Sequence, residues 1–283
     1  MSIAAVQHIR RMRGGSQSHL MLCEDNQFYV VKCCNNPQHS RVLVNDYLAS
    51  RLARSVGLPV PTVEVVEVSE WLIEHTPELH VQLAHETVRC QPGLQFGSKY
   101  AVHPLQGTVF DYLPCELLAT RVRNLEAFAG ILAFDKWTGN ADGRQVAFWK
   151  HSRDRKYTAC FIDQGYCFNA GEWTFPDYPL RGVYARNEVY EAISGWHSFE
   201  PWLSRIESAK EDKVWGIVDD IPPQWYSPDN AELEKLVRTL LLRRKHVREL
   251  IEAFRQSPRR PFPRWTEPCP ASVGNGESVR PLR

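Results

Sequence analysis

Apolar residues alternate in the first part of the chain and then fall into helical spacing. Two short runs, Ser18-His19-Leu20-Met21-Leu22-Cys23 and Gln27-Phe28-Tyr29-Val30-Val31-Lys32, flank the polar triplet Glu24-Asp25-Asn26. β-Branched and aromatic residues around such a triplet predict a β-hairpin. From 38 to 56 the apolar positions Val42, Val44, Tyr47, Leu48, Leu52 and Val56 follow helical spacing, which predicts a helix. Gly57 suits the left-handed turn that ends a helix, and Pro59 and Pro61 lack the N–H needed to continue it. Val63, Val65, Val66 and Val68 predict a strand over 62–68, with Trp71-Leu72-Ile73 expected to pair with it.

The stretch 76–107 is broken by proline and glycine and reads as irregular. The short apolar run at 108–114 is the expected hinge. Beyond it, Leu125, Phe128, Ala129, Ile131, Leu132 and Phe134 cover most of the circumference of a helix over 124–138, which predicts burial. Strands are expected at 145–150 and 157–163, and further helices near 187–194, 198–209 and 229–255. Asp229 or Asn230 would cap the last of these. Its Arg243-Arg244-Lys245 run reads as a solvated face. Residues 257–283 are rich in proline and arginine and read as a disordered tail. The expected organisation is an N-terminal β-rich unit at 1–113, a mostly helical unit at 114–256, and the tail.

Composition narrows the function classes. The 283 residues carry a net charge of +1, so no global field favours nucleic acid or an anionic membrane. No apolar run is long enough for a membrane span, and residues 1–10 lack a secretory signal core. The expected compartment is the cytoplasm. The eight cysteines contain no C-x-x-C pair, so they read as small buried hydrophobes in a reducing environment rather than as zinc ligands. No heptad seam or repeat indicates an oligomeric state.

Three charged residues change the picture. Lys32 ends a strand, Asp142 sits in the loop Gly139-Asn140-Ala141-Asp142-Gly143-Arg144-Gln145, and Asp163 ends the apolar run Cys160-Phe161-Ile162. An acid at the end of a buried strand is costly unless it is paired or metal-bound. One early cation and two later carboxylates suffice to hold a nucleoside triphosphate with magnesium. Gly14, Gly15 and Ser16 can cover phosphates with backbone amides, though a flexible turn is the plainer alternative. Lys32 alone also reads as a snorkelling surface cation. Asp46, on the next helix, can anchor it. Asn140 and Asp142 could instead simply satisfy backbone amides of a turn.

At these residues the chain resembles the HipA-like kinase family, small HipA-like members of the protein-kinase and phosphoinositide-kinase fold. The resemblance spans roughly 10–255. It rests on Gly14-Gly15-Ser16, Val30-Val31-Lys32, Asn45-Asp46-Tyr47-Leu48-Ala49, Gly57-Leu58-Pro59-Val60-Pro61, Gly139-Asn140-Ala141-Asp142-Gly143-Arg144 and the strand-ending Asp163. Phe110-Asp111-Tyr112-Leu113-Pro114 and Ile221-Pro222-Pro223-Gln224-Trp225-Tyr226 are also similar to its smaller members.

The resemblance implies an α+β, two-lobed protein-kinase-like fold with a small β-rich N-terminal lobe and a larger helical C-terminal lobe. It implies ATP and Mg2+ as cofactors and transfer of the γ-phosphoryl group to a serine or threonine of an unidentified protein. Lys32, anchored by Asp46, would bind phosphate beneath the Gly14, Gly15 and Ser16 loop. Asp142 would be the base, and Asp163 a metal ligand. The family places a metal-binding asparagine five residues after the catalytic aspartate, where this chain has Ala147. Aligning the following strand puts Gln145 in that role, with Asn140 as a second substitute. Two alternatives stay open: a nucleotide-binding regulator without transferase activity, and a lipid or small-molecule kinase.

Overall fold

A computed structural model describes residues 2–266. It opens with strand β1 (Ile3–Arg11), which the sequence pattern left unassigned. β2 (His19–Cys23) and β3 (Phe28–Lys32) form the expected antiparallel hairpin, with Leu20 opposite Val30. α1 (Val42–Ser55) and β4 (Val63–Val68) follow where predicted. Trp71-Leu72-Ile73 does not pair with β4; it lies in α2 (Glu70–Glu74). The Ser69 hydroxyl accepts from the Leu72 amide and nucleates that turn, so a helix cap outweighs three apolar residues in a row.

The stretch 76–107 is more regular than its prolines and glycines suggest. It contains the hairpin β5 (His80–Gln82) and β6 (Thr87–Arg89), then β7 (Gly93–Lys99). β7 completes a closed barrel of order β1-β2-β3-β7-β4, and β1 meets β4 through a short parallel pairing at Ile3 and Val66. Gly97 is what disguised this strand. A Cβ there would lie 2.3 Å from Val66 Cγ2, so the glycine allows close approach inside the barrel rather than breaking it.

β8 (Gly107–Phe110) pairs with β9 (Gln145–His151), which pairs with β10 (Thr158–Ile162). The expected border at 113 therefore falls after a strand already bonded to the later sheet. α3 (Cys115–Arg121) leads to α4 (Ala127–Thr138), every residue of which is buried. Around it pack α5 (Trp202–Glu207), α7 (Asn230–Arg243) and α8 (Val247–Arg255), while α6 (Glu211–Asp219) lies against α1.

The single helix expected over 229–255 is thus two helices. Asp229 stands at the head of α7 without a side-chain cap bond, and its carboxylate pairs with Arg41 instead. Arg243 is not on a solvated face. It is buried, bonding Asp177 and the carbonyls of Lys136 and Trp137. Residues 257–266, expected to open a disordered tail, are packed: Phe262 is buried against Tyr190, Phe199 and Phe254, and Trp265 stacks on it. Aromatic burial outweighs the proline-rich composition there. The rest of the tail, 267–283, lies outside the described residues. The described cysteines are free thiols, and no helix among the described residues is long and apolar enough to cross a membrane.

Candidate active site

Three elements far apart in sequence deliver one charge cluster. β3 ends at Lys32 with its side chain buried. α1 presents Asp46, and the turn after β10 presents Asp163. Lys32 Nζ donates to Asp46 Oδ2 at 2.7 Å and to Asp163 Oδ1 at 2.8 Å. Burial alone would pull the lysine pKa down, but the two carboxylates outweigh it and hold the ammonium above its usual value. For Asp46, burial dominates the opposing pull of Lys32, and its pKa rises to about 6. Asp163 is also desolvated, yet Lys32, with Arg144 and Gln145 behind it, holds its carboxyl below the usual value. The two acids differ because Arg144 favours the charged form of Asp163, while the charge of Asp163 itself opposes ionisation of Asp46.

The backbone around Asp163 is tightly fixed. Asp163 itself has φ 58°, a left-handed conformation that strains a non-glycine residue. The next amide, Gln164 N, donates to Asp46 Oδ1 at 2.9 Å. Gly165 follows, and a Cβ there would lie 2.7 Å from Val42 Cγ2 and 3.0 Å from Asp46 Oδ2. Only glycine lets this turn press against α1 so closely.

The loop between α4 and β9 is organised by a residue that the sequence reading did not single out. Asp135 is buried in α4, and its carboxylate takes both Nε and Nη2 of Arg144, the Nε bond being 2.9 Å. Arg144 Nη1 donates to the carbonyl of Ile162 at 3.0 Å, immediately before Asp163. One buried ion pair therefore ties the Asp142 loop to the strand that carries Asp163. The available signal was a lone aspartate in the apolar helix sequence Ile131-Leu132-Ala133-Phe134-Asp135.

Asn140 is consumed by the same network. Its amide donates to Asp135 at 3.1 Å, and its Oδ1 accepts from Asp142 N at 3.1 Å. It does not line the cleft, and both polar atoms of its side chain are engaged within the loop. Asp142 is exposed, and its carboxylate accepts from Gly143 N at 2.7 Å. Gln145 pairs with Ile162 across β9 and β10, and its side chain lies near enough to Asp163 to favour the charged carboxylate.

A cavity of about 450 Å3 opens in front of the cluster. Lys32, Asp46, Gln145 and Asp163 line its polar end, and Val30, Phe96, Phe110 and Ile162 are among its apolar walls. Ser16 reaches the cavity, while Gly14 and Gly15 stand outside its lining. The structure thus brings Ser16, Lys32, Asp46, Gln145 and Asp163 together, leaves Asp142 on the neighbouring loop, and turns Asn140 away. The carboxylate of Asp163 and the amide carbonyl of Gln145 are oxygen donors, the type that hard divalent cations select. No cluster of three or more His, Cys, Asp or Glu suited to a metal occurs among the described residues. That is compatible with magnesium, which is commonly held by one or two protein oxygens plus phosphate and water.

Comparison with known proteins gives a family and a fold. A family model described as HipA-like kinase matches residues 5–256. The crystal structure of a Helicobacter pylori proinflammatory kinase, CtkA, superimposes with a TM-score of 0.54 at 14% identity, covering 89% of this chain and 97% of that one. The crystal structure of the golgi casein kinase gives a TM-score of 0.54 at 11% identity, covering 91% of this chain and 75% of that one. No curated protein matches. At these identities the structural likenesses establish a kinase-like α+β fold.

Proposed function

The chain belongs to the HipA-like kinase family, and on that premise we propose that it transfers the γ-phosphoryl group of ATP to a serine or threonine hydroxyl of a protein. The observation that carries this reading is Lys32 bridging Asp46 and Asp163 at one end of a cavity that also has apolar wall residues, Val30, Phe96, Phe110 and Ile162 among them. The cavity falls within the usual range for small-molecule sites, roughly 300–1,000 Å3. In this reading the barrel is the small lobe, and β8 to β10 with the helices form the large one.

Apolar walls suit a base, and the charged end suits phosphates. An ammonium has three N–H donors, and Lys32 uses two on carboxylates, leaving one for a phosphate oxygen. Asp163 and Gln145 would hold the magnesium. Bound magnesium supplies positive charge that neutralises phosphate oxygens. Asp142, exposed at the end of a loop clamped by Arg144, would accept the proton of the incoming hydroxyl. A regulator that binds nucleotide without transfer is the second reading. It is favoured by Ala147 in the cavity lining, five residues after Asp142, and by the commitment of Asn140 to Asp135.

Labelled ATP with magnesium, incubated with a cell lysate, tests this. Wild type should transfer label to protein, and Asp142→Asn should lose roughly 100-fold or more of the rate. Undiminished transfer by Asp142→Asn would overturn the assignment of the base. Tight magnesium-dependent ATP binding without transfer would favour the regulator. Absence of ATP binding would sink both readings.

A further inference from the structure

Resting on the nucleotide–metal reading above, we propose that Asn45 is a positioning residue that sets the cation affinity of Asp163. It does so by clasping the backbone that leaves that aspartate. Asn45 is fully buried and does not line the cavity. Its Nδ2 lies 2.9 Å from Gly165 O, 3.0 Å from Cys167 O and 2.8 Å from Ala170 O. An amide nitrogen has two hydrogens, so three carbonyls share them and all face one side chain. Its Oδ1 accepts from Trp173 Nε1 at 2.7 Å. The indole nitrogen can only donate, which fixes which end of the amide faces the carbonyls.

What the clasp restrains is a backbone that would not hold this shape alone. Phe168, Asn169, Ala170 and Trp173 all have positive φ, between 52° and 60°. Non-glycine residues in that region persist only where their surroundings over-determine them. Neighbouring groups on the same side reinforce the hold. Asp46 takes Gln164 N, His39 Nε2 meets Gly165 O at 3.0 Å, and Arg41 Nη1 donates to Gly171 O at 3.0 Å. Arg41 also sits over the Trp173 ring, 4.1 Å from its centroid.

The clasp begins two residues beyond Asp163. Releasing it frees the turn that aims the Asp163 carboxylate, while Lys32 and the apolar walls stay where they are. Metal-dependent binding should therefore suffer, and metal-free nucleotide binding should not. A side chain that merely stabilised the fold would lower both together.

The test uses the full chain, ATP as probe, and magnesium titrated at fixed ATP. In Asn45→Ala the magnesium needed for half-maximal binding should rise about 10-fold or more, the usual range for groups that orient a metal ligand. ATP binding in excess chelator should stay within about twofold, and hydrogen exchange of amides 164–173 should speed up. Trp173→Phe keeps an aromatic ring beneath Arg41 while removing the bond that orients the amide, and should give a smaller rise in the same direction. It carries the test if Asn45→Ala does not fold. Unchanged magnesium dependence in both folded variants, or equal loss of metal-free and metal-dependent binding, would overturn the proposal. Wild type that binds ATP without regard to magnesium would overturn the underlying reading as well, so the two failures are distinguishable.

Discussion

The two acidic positions of the site are built in opposite ways. Asp163 is surrounded: Lys32 and Gln145 contact it, Arg144 lies behind it, and its side chain keeps only 16% exposure. Asp142 is exposed, and its carboxylate contacts the amide of its own neighbour, Gly143. The difference follows from the proposed tasks. A group that holds charge in a fixed place gains from burial and many partners, because a preorganised site does not reorganise when charge arrives. A group that takes a proton from an incoming hydroxyl has to be reachable. The link between the two is the Asp135–Arg144 pair, buried under both.

Cutting that link should have the largest effect on stability. Arg144→Met keeps most of the side-chain volume but strands Asp135 as a buried charge with Asn140 as its remaining partner. Breaking a buried pair from one side costs about 3–5 kcal/mol, so urea unfolding should show a loss of that order. Adding Asp135→Leu should return much of it, since a paired replacement leaves no uncompensated charge. If Arg144→Met were as stable as wild type, the loop and the Asp163 strand would not depend on each other as described.

The Asp46 end of the cluster can be read by pH. Its carboxyl is raised from 3.8 to about 6 in the folded chain. The folded state therefore binds this proton more readily than the unfolded one. The contribution of Asp46 is fully present below about pH 4 and is lost as pH rises through about 6. Wild type should therefore gain stability relative to Asp46→Asn as pH falls from 7 to 4. Asp163 acts the other way, because its pKa is lowered. Its contribution is present above the unfolded value near pH 4 and is lost only below that. Unfolding titrations of the two proteins side by side separate these windows. A difference that did not change with pH would mean that Asp46 is not the raised group.

The sequence was most legible where charge interrupts an apolar pattern at the end of an element. Lys32 and Asp163 stand out for that reason, and the fold brings them within one hydrogen bond of each other. It was least legible where a residue's work is tertiary. Asp135 reads as one polar position on a buried helix until Arg144 is seen against it. Asn45 reads as part of a helix motif, although its partners lie more than a hundred residues later. β7 was hidden because Gly93 and Gly97 carry loop signals locally, while the requirement for Gly97 comes from Val66 across the barrel. The helix over 124–138 was found because its apolar character does not depend on a distant partner. The engagement of Asn140 with Asp135 was not legible for a related reason, since an amide beside an aspartate does not reveal which way it turns.

The smallest expected effect is the sharpest test of the contrast between the two acids. Asp142→Asn preserves the shape of the side chain and an oxygen able to accept from Gly143 N. Exposed substitutions of this kind usually stay within about 0.5 kcal/mol, so its urea midpoint should match that of wild type. The same substitution at Asp163 removes a charge that faces Lys32 and should be visible in unfolding, because a charged hydrogen bond contributes roughly 1.5–3 kcal/mol. The pair of measurements separates a position kept for chemistry from one that also supports the fold. Were Asp142→Asn to destabilise the chain as much as Asp163→Asn, the loop acid would be a structural element. The loss of transfer on mutating it would then say nothing about proton acceptance.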